Sequence, residues 1–501
     1  MKVVLAGYNV DRDVLDELKR RAGPERLDVT PETLSASYAR ISRDPRPADE
    51  LRRAARKEVE KARRSNQTII FKMGHHSVAE HAVFNFDVVG PSRLAIEELE
   101  RFRLASFTEK SQRYITLGDD FVVPDEVAAS GQRDAFLETV RAQNALYHEL
   151  YGRLRPFVLQ SHPGLAANPR KHSLLDGWAK EDARYAVSLA TEGQLGLTVN
   201  ARTLELMVRR FAAHSLAEVR ELGRKLYDTA RDVAPSVLLF IQATDFDAQT
   251  YGTFAAATGG RKPKNGRPSL PPDGDEPVHL IGFTPDGDDR VLAAVLHSVS
   301  TRPYLDCWAE VKSLSPRQKR ALSKRTFERM EFYDVPLREF EHADLTFELV
   351  LSASAFAQLK RHRMATLTAQ PYDPALGVTT PSSFAAIGLK SEFRKVIART
   401  EAAYGELRRS AGPAAAYVLT NAHRRRCLLK VNLRELSHIS RLREDASAQW
   451  EIRRLAGKMS ALARRVMPLA GLLLGGKDAY PSLYRRVFGR PPKRLPPGLE
   501  D

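Results

Sequence analysis

Two arginines one residue apart open the stretch "RFRLASFTEKSQRY" (101–114), and Ser106, Glu109, Ser111 and Arg113 follow closely. A guanidinium presents a planar fork of donors that suits phosphate. A hydroxyl adds a short donor, and a carboxylate accepts from ribose O–H or ring N–H groups. The combination suits a nucleoside monophosphate. The same residue types also make an ordinary charged helix end with surface ion pairs, so this stretch alone leaves both readings open. On a helix, Arg101 and Arg103 point about 200° apart and serve different groups. On an extended chain, Glu109, Ser111 and Arg113 share one side. A second version, "RHRMATLTAQPYD" (361–373), keeps both arginines but has Pro371 and Asp373 where the serine and last arginine would fall.

Other chemistry is less well supported. His75, His76 and His81 lie near Glu80, but no His-Glu-x-x-His spacing exists, and no metal is expected. Without a Gly-x-Gly-x-x-Gly stretch, a Rossmann cofactor domain has no support. Two cysteines, Cys307 and Cys427, suggest neither a disulfide framework nor a thiolate metal site. The net charge of +16 favours anionic partners, either nucleic acid or phosphorylated small molecules. Arginine-rich runs such as "RRAARKEVEKARR" (52–64) read as solvated helix faces. No apolar run reaches membrane-spanning length, and "MKVVLAGYNVDRDV" reads as a first strand rather than a signal peptide, so a cytoplasmic protein is expected.

The elements that must position these residues occur twice. "AEHAVFNFDVVGPSRLAIEELERFRLAS" (79–106) matches "FEHADLTFELVLSASAFAQLKRHRMAT" (340–366), and "LGLTVNARTLELMVRR" (195–210) matches "CLLKVNLRELSHISRLR" (427–443). Two matches in the same order argue for tandem duplication. "VFNFDVV" and "LTFELVL" alternate with period two and predict half-buried strands. "PSRLAIEELERFRLA" predicts a helix that carries Arg101 and Arg103, and longer helical stretches are expected at 133–160, 202–232, 390–409 and 448–470. Each copy is therefore expected to be α+β with much helix. The predicted domains are copy one at 1–252, a Gly-, Pro- and Lys-rich linker at 253–278, a divergent copy two at 279–488, and an extended tail at 489–501.

"FKMGHHSVAEHAVFNF", followed by Arg-x-Arg-x-x-Ser-x-x-Glu-x-Ser-x-Arg-Tyr, resembles the flavin-dependent thymidylate synthases. Their signature is Arg-His-Arg, seven residues and Ser, with Met-Gly-His and Glu-His upstream. "KEDARYAV" (180–187) is similar to the family's Ala-Arg segment, and "VNLRELSHISRLREDASAQWEIRRLA" (431–456) to its C-terminal stretch. The resemblance implies two tandem copies of that fold, each a central sheet flanked by long helices. It also implies FAD as cofactor, NADPH and methylenetetrahydrofolate as co-substrates, and dUMP as the nucleotide. In this family each nucleotide site draws one residue set from each of two subunits. Copy one keeps one set (Glu109, Ser111, Arg113, Arg184), and copy two keeps the other (Gln358, Arg361, Arg443). Arg443 would stabilise charge on the pyrimidine. His75, Ser77, Arg361, His362 and Arg363 would hold flavin, with Asn200, Arg202, Asn432, Arg434 and His438 as further candidates. Copy one departs at Phe102, in place of the middle His, and at Glu98, in place of Gln; copy two departs at Pro371, Asp373 and Ala416.

By this resemblance the expected enzyme methylates dUMP at one composite site between the copies. A homodimer with pseudo-tetrameric symmetry is the expected assembly, and nucleic acid is not the expected partner. The alternatives are a flavoenzyme acting on another pyrimidine nucleotide, or a silent nucleotide- or nucleic-acid-binding protein.

Overall fold

A computed structural model describes residues 1–20, 30–41, 44–258 and 277–496. The chain divides into two compact units, Met1–Gly266 with Pro381–Thr420, and Arg267–Thr380 with Asn421–Asp501. Most of the segment expected to link the copies, and the last five residues of the expected tail, lie outside the described residues. The start of that linker segment, 253–257, is helical, as the end of helix Asp245–Ala257.

Each unit holds a four-stranded antiparallel sheet. In the first unit these are β1 (Lys2–Tyr8), β2 (Val83–Ser92), β3 (Ala105–Glu109) and β4 (Glu192–Asn200), in the order β1-β2-β4-β3. The second has β5 (Val278–Phe283), β6 (Asp344–Ser352), β7 (Thr366–Ala369) and β8 (Arg424–Asn432), in the order β5-β6-β8-β7. The duplication read from sequence is thus repeated in strand order and register: Val83 pairs with Asn200, and Asp344 with Asn432.

The period-two pattern explains the burial. Phe84, Phe86 and Val88 on β2 face the core, with Leu195, Leu197 and Val199 on β4. Leu345, Phe347 and Leu349 on β6 do the same with Cys427, Leu429 and Val431 on β8. Each such side chain contributes about 1.5–3 kcal/mol. β2 carries one extra residue, and its register with β4 shifts between Val89 and Ser92. Gly90, at φ +78°, takes up the extra residue in a left-handed conformation that an L side chain resists.

Matching caps start matching helices. Ser92 Oγ accepts from Ala95 N, and Ser352 Oγ from Ala355 N. Each of these serines also donates to a buried carboxylate, Ser92 to Glu218 and Ser352 to Glu451. Asn200 Oδ1 accepts from Thr203 N at 2.9 Å, and Asn432 Oδ1 from Glu435 N at 2.8 Å. Each cap is worth about 1 kcal/mol.

Three sequence expectations change. The helix expected to carry Arg101 and Arg103 is only Arg93–Leu99, so both arginines lie beyond it, in the turn leading to β3. The chain must reverse there to reach the edge of the sheet, and Leu104, which would have continued the apolar face, is 64 % exposed. Copy two behaves alike, its helix ending at Leu359 ahead of Arg361. The long helix expected at 202–232 is two, Ala201–Ala212 and Ala217–Ala230, broken where His214 Nδ1 accepts from Leu216 N. The helix Lys390–Ser410, copy two in sequence, packs in the first unit against Arg133–Ser161, where buried Gln143 donates to Thr400 Oγ1 and to Val418 O, both at 2.8 Å.

Candidate functional site

The residues singled out in copy one gather at the junction of β3, the start of helix Arg93–Leu99 and the end of helix His172–Ala183. Glu109, last residue of β3, accepts from buried Arg93 at 2.5 Å, and Glu97 lies 3.9 Å from the same guanidinium. Beyond the strand, Ser111 Oγ accepts from Arg113 N at 3.1 Å and fixes the turn that directs Arg113. Arg113 Nε sits 2.6 Å from Glu181 Oε2. Arg184 is buried just past that helix. Burial lowers its pKa, Glu181 and Tyr185 counteract this, and the charges of Arg113 and Arg93 push it down further. Three guanidiniums are therefore close enough to repel one another, balanced by three carboxylates. The sequence reading found Glu109, Ser111, Arg113 and Arg184 but missed Arg93 and Glu181. Glu181 lies three residues before Arg184, on the same helical face, which is the signal that could have found it.

The copy-two residues form a second cluster around helices Ala353–Leu359 and Leu433–Arg443. Arg443 Nε donates to His362 Nε2 at 2.9 Å, and His362 Nδ1 lies 3.4 Å from Glu435 Oε1. His438 crosses the His362 ring at a centroid distance of 5.5 Å. Burial holds the His362 pKa well below its usual value, reinforced by the charges of Arg443 and His438. Burial raises the Glu435 pKa, opposed by His438 and Arg434. Gln358 is also buried, and among the described residues its amide oxygen and nitrogen have no hydrogen-bond partner. One unsatisfied donor beside one unsatisfied acceptor matches the imide edge of a pyrimidine or flavin ring, where N–H and C=O alternate. Arg361 and Arg363 flank buried His362 and are themselves exposed. The exposed cations suit the phosphates of a flavin nucleotide, and the Gln358 amide suits the imide edge of a pyrimidine base.

The remaining flavin candidates are placed differently. His75 and Ser77 are exposed, at and just inside the start of the turn of helix His76–His81. Asn200 and Asn432 cap helices, Arg202 pairs with Glu80 at 2.6 Å, and Arg434 pairs with Glu341 at 3.0 Å and donates to Pro336 O. These two Asn–Arg pairs occupy equivalent positions and make equivalent contacts.

The counterparts of the key residues differ sharply between copies. Counting from the matched caps, Phe102 stands where His362 stands, Thr203 where Glu435 stands, and Phe211 where Arg443 stands. Phe102 and Phe211 make an edge-to-face pair at 5.6 Å. Glu98 replaces Gln358; burial tends to raise its pKa, but a hydrogen bond from His214 and the charge of Arg101 bring it down to about 2. In copy two, Ala416 replaces Arg184, and exposed Asp373 caps a short turn by accepting from Ala375 N at 2.9 Å.

The family model described as thymidylate synthase complementing protein matches the chain twice, over residues 27–236 and 279–469. The chain belongs to this family. A flavin-dependent thymidylate synthase of Geobacter sulfurreducens is 32% identical over 215 residues, covering 41% of this chain and 80% of the relative. One of Clostridium tetani is 28% identical over 213 residues, covering 42% and 82%. A UPF0159 protein of Thermoplasma acidophilum matches along the tandem, 21% identical over 486 residues, covering 88% and 94%. Among solved structures, thymidylate synthase X of Helicobacter pylori with FAD and dUMP is 17% identical, covers 48% of this chain and 99% of its own, and has a TM-score of 0.29. The chain is thus two α+β copies of one family fold in tandem. Among the described residues no helix is long and apolar enough to cross a membrane.

Proposed function

We propose that the chain is an FAD-dependent thymidylate synthase that methylates dUMP to dTMP, with methylenetetrahydrofolate as carbon donor and NADPH as reductant. One nucleotide site draws on both half-sets of residues, and the working assembly is a homodimer. The observation that carries this reading is reciprocal loss. Copy one keeps the Arg113–Arg184 cluster where copy two has Asp373 and Ala416, and copy two keeps Arg443 and His362 where copy one has Phe211 and Phe102.

In the reaction the folate methylene becomes bonded to C5 of the uracil, the C5 proton leaves, and a hydride completes the methyl group. NADPH and one proton supply the two reducing equivalents, and tetrahydrofolate is released. A bound flavin would supply the hydride relay between NADPH and the carbon being transferred. The chain's own residues bind and orient. Arg113 and Arg184 hold the phosphate, Ser111 and Glu109 take the sugar side, and the Gln358 amide pairs with the imide edge of the base. Arg443 offers a fixed positive charge where negative charge develops on the pyrimidine, the kind of preorganised stabilisation that lowers a barrier. Arg361, Arg363, His75 and Ser77 hold the flavin.

The test is rescue of a thymidine-requiring strain by the full chain, together with FAD titration of the purified protein. Growth without thymidine, and about one FAD per chain, are expected; two equivalents of equal affinity would remove the asymmetry. Arg443→Ala should abolish rescue while FAD still binds.

A further inference from the structure

We infer that Glu435 and His362 form a positioning relay that fixes the guanidinium of Arg443, and that the three residues work as one unit. The first support is hydrogen-bond logic. Arginine only donates. With Arg443 Nε 2.9 Å from His362 Nε2, that ring nitrogen must carry a lone pair. The imidazole is then neutral and its single proton sits on Nδ1, which faces Glu435 Oε1 at 3.4 Å, an ion-pair separation rather than a closed hydrogen bond. Both atoms are buried and have no hydrogen-bond partner among the described residues, so each is the other's nearest complement. His362 is 5 % exposed, so water does not compete for either nitrogen. The ionisable groups around it are Arg443, His438 and Glu435, while Arg434, which also acts on Glu435, is itself paired with Glu341. An imidazolium would lose the contact to Arg443 and set two cations side by side. Keeping the ring neutral therefore keeps the guanidinium plane fixed.

The second support is independent of the first. The three relay positions come from distant parts of the sequence, yet in copy one all three are changed together, to Thr203, Phe102 and Phe211. None of the replacements titrates or carries charge, and two of them pack ring to ring. Had Arg443 alone mattered, its partners would have had no reason to change with it. The caps at Asn200 and Asn432 put Thr203 and Glu435 at the same place in their helices, so the comparison is between equivalent backbone sites.

The relay deepens the proposed function, because what Arg443 acts on rests on that reading, but the relay itself stands on geometry. It is tested on the full chain by 15N NMR of histidine side chains without nucleotide, with His362 assigned from the signal lost in His362→Phe. The expected spectrum shows a neutral Nδ1–H tautomer between about pH 6 and 8, the range in which an ordinary histidine titrates. Glu435→Gln should keep that tautomer, since an amide oxygen also accepts. Glu435→Thr, the residue that copy one accommodates at this helix position, should convert it to a mixture of tautomers. In turnover, Glu435→Thr should lower kcat on the order of 10²-fold, as small misplacements of a catalytic group do, with KM for dUMP within about threefold. Glu435→Gln should recover most of that loss. An imidazolium or an Nε2–H tautomer in the unmodified protein would overturn the relay, as would a Glu435→Thr variant with unchanged tautomer and kcat. If the protein fails to turn over dUMP while the tautomers behave as expected, the relay stands and the functional reading falls.

Discussion

Placing the copy-two arginine in copy one, as Phe211→Arg, should be strongly destabilising unless its two partners are supplied as well. Phe211 is 3 % exposed, its ring meets Phe102 edge to face, and helix Ala217–Ala230 closes on it through Gly223, where an added Cβ would come 2.7 Å from Phe211 Cβ. Nothing there can yield to a longer, charged side chain. Thr203 occupies the place of the relay carboxylate, and the nearby Glu98 is already engaged by Arg101 and His214. A buried charge without its partner costs about 3–5 kcal/mol, and the lost aromatic pair adds about 0.5–1.5 kcal/mol. Adding Phe102→His and Thr203→Glu supplies the acceptor that Arg443 has in His362 and the carboxylate that faces that ring. Contacting residues couple by about 0.5–3 kcal/mol, so the triple variant should recover about that much. The measurement is urea unfolding in a Trp308→Phe, Trp450→Phe background, which leaves Trp178 as the fluorophore of the first unit. A Phe211→Arg variant less than about 1 kcal/mol weaker than its parent, or a triple variant no better than the single, would refute the reasoning.

Arg113→Ala and Arg184→Ala should each weaken dUMP binding by about 1.5–3 kcal/mol in calorimetry, the range for hydrogen bonds to charged groups, whereas Asp373→Ala should leave it unchanged. Equal loss at all three positions would mean that the half-sets are assigned wrongly. Glu98 should show in acid stability. With its pKa brought from 4.5 to about 2, its contribution is present above the unfolded value and disappears as pH falls through the folded one. By linkage this amounts to roughly 3 kcal/mol between about pH 5 and 1. Glu98→Gln should therefore flatten the acid limb of the stability profile, and an unchanged limb would show that Arg101 and His214 do not hold the carboxylate.

Much of this fold was legible because burial writes itself into sequence at fixed periods. "VFNFDVV" and "LTFELVL" could only be strands with one face inward, and both are. The repeated Val-Asn-x-Arg marked two equivalent positions, but the use of both asparagines as helix caps was not read from it. Helix ends were harder to read. "ELERFRLA" continues a helical spacing in letters, but the chain has to turn after Leu99 to pair β3 with β4, and a tertiary demand of that kind leaves no local mark. Packing of helix Lys390–Ser410 with the first unit was equally invisible, since its apolar face does not say which partner covers it. The copy-one cluster could be approached from sequence because Glu109, Ser111 and Arg113 lie within five residues of one another. The site was illegible where the use depends on a neighbour far away in the chain, as with Glu435 and Glu181.

The same distinction separates decay from division of labour between the copies. Random loss of function at a buried polar site would leave orphans, such as an arginine without its histidine or a carboxylate without its cation. Each would cost a few kcal/mol, because a buried polar group keeps its desolvation penalty when its partner goes. Copy one shows no such remnant at the relay positions: the histidine and arginine positions are both phenylalanine, in contact, with threonine beneath the matching cap. Copy two keeps Arg443 on His362 with Glu435 facing the ring, and has Asp373 and Ala416 where copy one has Arg113 and Arg184. Read singly, Phe102 and Ala416 are lost motif residues; on the proposed function, each copy has shed what the other retains. A chain under selection for one working site would drift to this arrangement, because replacing an unused ionic cluster with packed apolar side chains is neutral or stabilising once nothing needs to bind there.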